Sequence, residues 1–356
     1  MTPQSNHSHV DPNEVIANTT AAASAPRNGG NSIQQKTFAR RSASPPWHAV
    51  VAAAAISVMY IPMAATSLAT MDEMATMETF TSRLFPNFMS IQTLGWIRLA
   101  IASFVWAVTF FMIYGMGTMW KSIYLPRSKL QSTTILLERF QTLTPFAAWS
   151  WILLGLAFSM TGTLALVTHY TPQQHSKLSR IVSSPRFLRT ALIVWELGAT
   201  SSILTSAIVT YALWPVRLKR GGTAQLKERR QLIMNNVNVV ITMTEVCLLG
   251  GIPVRWVDAT FAPLLGIVYL LFSWYMTDKW STRTHEDKGP QFLYFFLDTT
   301  LGYRTTMYLI LLLIVLQFSY LVVVVLQTLL DTVGGTLTTH AVAILGVCSL
   351  VCRFRA

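Results

Sequence analysis

The sequence predicts an all-α fold, a polytopic transmembrane helical bundle of about seven spans, on three observations. Only 12% of the 356 residues are charged and 52% are apolar, against roughly 25% charged in an ordinary soluble domain. The apolar residues gather in runs of about 20, the number that crosses a hydrocarbon core of about 30 Å. These runs do not alternate apolar with polar residues as barrel strands do. Each run is therefore read as a helix, which satisfies its own backbone hydrogen bonds in lipid.

Residues 1–46 are rich in Ser, Thr, Asn, Pro, Gln and Ala and hold no run able to bury a core, so they predict a disordered tail. No apolar h-region of a signal peptide lies near the start, and the first apolar run is expected to be a retained span. Residues 47–94 comprise that span, His48–Ala69, and an acidic external loop with Asp72, Glu73 and Glu78. Residues 95–330 carry six more: Trp96–Met116, Pro145–Val167, Ala191–Trp214, Ile233–Ile252, Ala259–Met276 and Thr305–Leu330. The span from Ala259 is short and carries Pro263, whereas the one from Thr305 is long enough to tilt. Residues 331–356 hold a shorter apolar run, His340–Cys352, readable as re-entrant, interfacial or a short eighth crossing.

Alternate joints carry unequal charge, with 18 Lys and Arg on the side of the N-terminal tail and 8 on the other for seven spans. The positive-inside rule places the tail in the cytosol, in an endomembrane or the plasma membrane. The sequons Asn6-His7-Ser8 and Asn18-Thr19-Thr20 are then expected to stay bare. The net charge of +12 does not imply nucleic acid, because all of the 27 basic residues but Arg98 sit in tails and joints and not on one face of a soluble unit. The densest joint, residues 217–230, reads first as a topology determinant and second as a surface for anionic headgroups. Membrane lipids and other membrane proteins are the expected partners.

Asn235, Asn238, Thr242 and Glu245 are spaced 3, 4 and 3, which confines them to an arc of roughly 80° on one helix. The stripe reads either as the lining of a headgroup pocket or as hydrogen bonds that join helices. Glu196 also falls within the hydrocarbon region, where an ionised carboxylate costs about as much as Asp, ~2.5–3.5 kcal/mol. Arg98 enters from the same external side and its long stem can reach down, so a structural Arg98–Glu196 ion pair is expected. His169 and His175 share an external joint, but their spacing fits no standard zinc box, and neither metal nor cofactor is expected. Cys247, Cys348 and Cys352 lie in apolar stretches without metal or disulfide spacing, and Cys352 beside Arg353 reads as a palmitoylation site or a buried thiol. Gly155, Ser159 and Thr163, like Gly198, Ser202 and Ser206, recur every four residues and read as packing seams. There is no nucleophile elbow, P-loop or dinucleotide fingerprint.

From about Trp96 to Leu330, four segments carry a resemblance: "ERFQTLTPFAAWSWILLG", "NNVNVVITMTEVCLLGGIPVRWVD", "GIVYLLFSWY" and "GPQFLYFFLD". Together they resemble the rolling stone membrane proteins and, more distantly, the androgen-induced family of multi-pass lipid hydrolases. The latter resemblance implies cleavage of hydroxy-fatty-acid esters within the membrane by a threonine and a histidine. By position, "RFQT" places Thr142 on that threonine. The fifth span presents Asn238 where the family has its histidine, as rolling stone-like sequences do, and an amide cannot take up the nucleophile's proton as imidazole does. The first expectation is thus a rolling stone-like protein acting through lipid or protein contacts without catalysis. The alternative is a hydrolase using Thr142, and a transporter follows on the strength of Pro263 alone.

Overall fold

In the computed structural model, the described residues are 44–353 except 116, 131, 171–176, 221, 280, 283–289 and 334–335. The tail to residue 43, with both sequons, lies outside them, as does His175.

Eight long helices follow one another: α1 Trp47–Thr70, α2 Ile91–Tyr114, α3 Phe146–Tyr170, α4 Pro185–Arg220, α5 over 229–247, α6 Phe261–Met276, α7 Tyr303–Val333 and α8 Leu337–Val351. Their ends carry ordinary signals. Ser90 and Thr336 accept from the backbone N–H three residues on, and Ser184 does the same ahead of Pro185 in the first turn of α4. Six segments are long and apolar enough to cross a membrane, and α8 is a shorter apolar helix. α5 falls outside the six because its Asn and Glu residues dilute its hydropathy.

α5 departs from the expected Ile233–Ile252. It begins earlier and ends at Cys247, because Gly250, Gly251 at φ 61° and Pro253 break the helix. The chain then turns back, with Gly251 N–H donating to the Glu245 carbonyl at 3.0 Å.

The second, fourth and sixth joints gather at one end of the bundle, hereafter the cap end. There Thr118–Lys121 (β1), Thr134–Leu137 (β2) and Ser281–Thr282 (β3) form an antiparallel sheet in the order β1-β2-β3. These strands have no counterpart in the sequence pattern, because they are too short for a period-2 alternation to register. Arg217 of α4 ties the fourth joint to the sheet, donating to the Lys121 carbonyl at 2.9 Å and to Gln225 Oε1 at 2.6 Å. Tyr124 is buried in the cap, where its hydroxyl donates to Gln291 Oε1 and accepts from Phe292 N–H, both at 2.8 Å.

α1 also starts at the cap end, where His48 meets Thr306 of α7. α8 starts at the opposite end, with His340 edge-on to Phe85 at 5.3 Å. It returns along α5 until Arg353 stacks over Trp214 near the cap end of α4, 4.3 Å from the ring centroid. The apolar run that the sequence leaves open is thus a 15-residue helix that runs back along the bundle toward the cap end. Exposed Trp47, Tyr114, Tyr275 and Tyr303 ring the cap end, and Trp96, Tyr170 and Trp256 the other, as aromatic belts do at the two membrane interfaces.

α2 and α3 pack closely because small residues line their seam. A Cβ on Gly155 would press on Val105 and Trp106, and one on Gly162 on Leu99 and Arg98. Trp106 Nε1 donates to Ser159 Oγ across this seam at 3.0 Å. Gly198 brings α4 against the backbone of Leu153 and Leu154 in the same way.

Candidate functional site

Arg98 does not pair with Glu196. Its guanidinium reaches Glu245 of α5, with Nε donating to Oε2 at 3.0 Å and Nη2 to Oε1 at 2.5 Å, while Nη1 donates to the Phe80 carbonyl. Both side chains are fully buried, and Gly250 N–H adds a bond to Oε1 at 3.2 Å. Depth along a span does not choose between two carboxylates at similar depth on different helices, and here the neighbouring helix α5 supplies the partner.

Glu196 instead joins a second buried group at the same end. Its Oε1 accepts from Arg255 N–H at 2.8 Å, and the Arg255 carbonyl accepts from Tyr320 of α7 at 2.8 Å. Asp258 accepts from Ser67 of α1 and lies 3.3 Å from Arg255 Nε. These contacts fasten α1, α4 and α7 to the turn that leads into α6, which is a structural task.

With Glu245 committed to Arg98, the polar stripe of α5 divides. Asn235, Asn238 and Thr242 are buried, yet Asn235 Oδ1, Asn238 Nδ2 and Thr242 Oγ1 have no hydrogen-bond partner among the described residues. Direct bonds to neighbouring helices therefore do not account for them.

Asn235 lines a cavity in the cap-side half of the bundle. Phe146 of α3, Leu204 and Thr205 of α4, Tyr269 and Leu270 of α6 and Leu313 of α7 wall it, and Trp120 and Tyr294 close it from the cap. The volume of the cavity is about 80 Å³. The space is thus narrow. No charged residue lines it, and its polar groups are Gln231, Asn235, Thr205 and the two tyrosines. Tyr294 stacks on Phe296 at 5.1 Å and sits edge-on to Trp120 at 5.6 Å. Burial pushes its phenol well above the ordinary tyrosine range, and does the same to Tyr124.

Gln231, Tyr269 and Tyr294 escaped the sequence reading. Gln231 lies one turn before Asn235 on the same face and was legible as an extension of the stripe; the tyrosines, in an aromatic-rich chain, carried no signal.

Thr142 lies apart from this cavity. It sits in the 3₁₀ turn Arg139–Leu143, and its hydroxyl donates to the Arg139 carbonyl at 2.5 Å, Arg139 itself having φ 49°. The histidines among the described residues are elsewhere: His48 at Thr306, His169 against Tyr170 at the far end of α3, and His340 at Phe85. No hydrogen bond links Thr142 to Asn238 among the described residues. Asp72 of the acidic loop is taken up by Arg189.

No family model, curated protein or solved structure matches the chain. What the architecture establishes is a polytopic helical membrane protein with several apolar spans.

Proposed function

We propose that this is a rolling stone-like membrane protein that acts by holding a lipid, without catalysis. The ligand is a narrow, uncharged, single-chain amphiphile seated in the cap-side cavity. The observation that carries this reading is the cavity itself, an apolar and aromatic space with two buried polar atoms that have no partner among the described residues, Asn235 Oδ1 and the Tyr269 hydroxyl. An ionised headgroup is disfavoured because no counter-charge lines the space. A chain leaving lipid for a leucine-lined cavity gains little, since lipid tails are as apolar as leucine. Selection must then come from a donor on the ligand that meets Asn235, worth about 1–2 kcal/mol in this setting. The hydrolase alternative loses support because the Thr142 hydroxyl is engaged by Arg139 and no described histidine adjoins it. On this reading the cap end faces the cytosol, as the charge count implies, and other membrane proteins remain candidate partners.

The test is photolabelling of purified protein with a diazirine-bearing monoacylglycerol. Adducts are expected on cavity residues such as Leu204, Leu270 and Leu313. Asn235→Leu should weaken labelling roughly tenfold, as about 1.4 kcal/mol implies. Turnover of a hydroxy-fatty-acid ester that vanishes in Thr142→Ala would overturn the non-catalytic reading.

A further inference from the structure

Two helices of the cavity wall are locally wound as π-helix, α4 over Ile208–Leu213 and α5 over Ile233–Val237. Such segments are rare and gather at functional places. Here each has two working faces. Ile208, Val209 and Leu213 of one and Asn235 of the other line the cavity. Thr210, Tyr211 and Asn236, their immediate neighbours, hold the end of α8 instead.

The grip is specific. Thr210 Oγ1 donates to the Val351 carbonyl at 2.7 Å, and the Tyr211 hydroxyl to the Leu350 carbonyl. These are terminal helix carbonyls that have no partner within α8. Asn236 clasps Arg353 by its backbone, accepting from N–H at 2.8 Å and donating to the carbonyl at 3.1 Å. Cys352 Sγ donates to the Asn236 carbonyl at 3.6 Å, and the Arg353 guanidinium lies over Trp214. The end of α8 is thus wedged between the two π segments, outside the cavity they wall.

Besides these bonds, Val347, Cys348, Val351 and Cys352 rest against the core with their side chains only partly buried. His340, at the far end, is the one buried residue of α8 among those described, whereas Val342, Leu345 and Leu350 are exposed. The bonds at Leu350–Arg353 come from side chains, so they break without disturbing the backbone ladders of α4 or α5.

We propose that Leu350–Arg353 form a gate over a lateral portal between α4 and α5, through which a lipid of the cap-end leaflet reaches the cavity. The proposal rests on the cavity being a lipid site. Opening swings the end of α8 outward into lipid while its start at His340 stays in place. Asn236 sets the latch on one π segment, and Asn235 beside it meets the ligand.

Two measurements separate the gate from the ligand. Spin labels on the exposed positions Leu345 and Tyr275, introduced as Leu345→Cys and Tyr275→Cys with the native cysteines replaced, report the position of α8. Asn236→Ala should add a longer component to their distance distribution, and Arg353→Ala should do so more weakly. An unchanged distribution in both variants overturns the gate whatever the ligand does.

The second measurement times photolabelling by the same monoacylglycerol in proteoliposomes. Asn236→Cys, oxidised onto native Cys352, should slow labelling at least tenfold, with dithiothreitol restoring the rate. Equal rates in the locked and reduced protein overturn the gate and leave the lipid site standing. Motion of α8 without labelling in any variant overturns the lipid site, and with it the route.

Discussion

Arg98 of α2 forms a two-pronged ion pair with Glu245 of α5, Nε to Oε2 at 3.0 Å and Nη2 to Oε1 at 2.5 Å, with neither side chain exposed. Such a pair does not guarantee net stability, because both ions leave water. Breaking it is costly, because one charge is then left alone. Arg98→Ala should therefore lower stability by about 3–5 kcal/mol. Glu245→Gln in that background should recover much of the loss, whereas Glu196→Gln should recover none. Thermal unfolding in detergent of the single and double variants checks this, and recovery by Glu196→Gln would return the pairing to that residue.

Gly250 provides a second handle on the same pair. A Cβ there would overlap Arg98 Nη2, Glu245 Oε1 and the Ser82 carbonyl, whereas one on Gly346 of α8 meets nothing within 4 Å. Gly250→Ala should destabilise by about 1–3 kcal/mol, the usual cost of overpacking, and Gly346→Ala should be close to neutral. Equal melting temperatures for the two variants would mean that the loop after α5 yields freely.

These contacts mark how far the sequence could be read. The spans were legible because apolar runs and their flanking charges act locally: α3, expected at Pro145–Val167, is Phe146–Tyr170. The early end of α5 was legible in principle from Gly250, Gly251 and Pro253, but the apolar run through Ile252 concealed it. The partner of Arg98 was not legible, since depth along a helix is one coordinate and the choice between Glu196 and Glu245 depends on which helix lies beside α2. The stripe on α5 pointed to the right helix face but not to what each residue does. Asn236, off that face, had no pattern to announce it, because its role depends on where α8 ends.

The cap offers a test by pH. Burial raises the phenols of Tyr124 and Tyr294 above the ordinary value, which is about 10. Their neutral forms favour the fold. That contribution is complete below pH ~10 and is lost as pH rises from there toward the folded-state values. Phenolate absorbance should show these two tyrosines ionising after the exposed ones, together with loss of the folded state. Tyr124→Phe, which forfeits the bonds to Gln291 and Phe292, should cost about 1–3 kcal/mol at neutral pH and, having no phenol to ionise, should make the fall in stability above pH ~10 shallower.

The charge count makes a claim about sidedness that thiol labelling can check. Leu178, in the short helix Lys177–Val182 opposite the cap, and Lys219, at the cap end of α4, are both exposed. In sealed microsomes, whose outer face is cytosolic, a membrane-impermeant maleimide should modify Lys219→Cys directly and Leu178→Cys only after detergent. Both substitutions require Cys247, Cys348 and Cys352 to be replaced first, so that a single thiol reports. The direction of α8 matters here, because it brings Arg353 to the same end as the basic joints and adds to the asymmetry that the positive-inside rule reads. Modification of Leu178→Cys in intact vesicles, with Lys219→Cys protected, would show the cap to be lumenal and the charge count misleading for this chain.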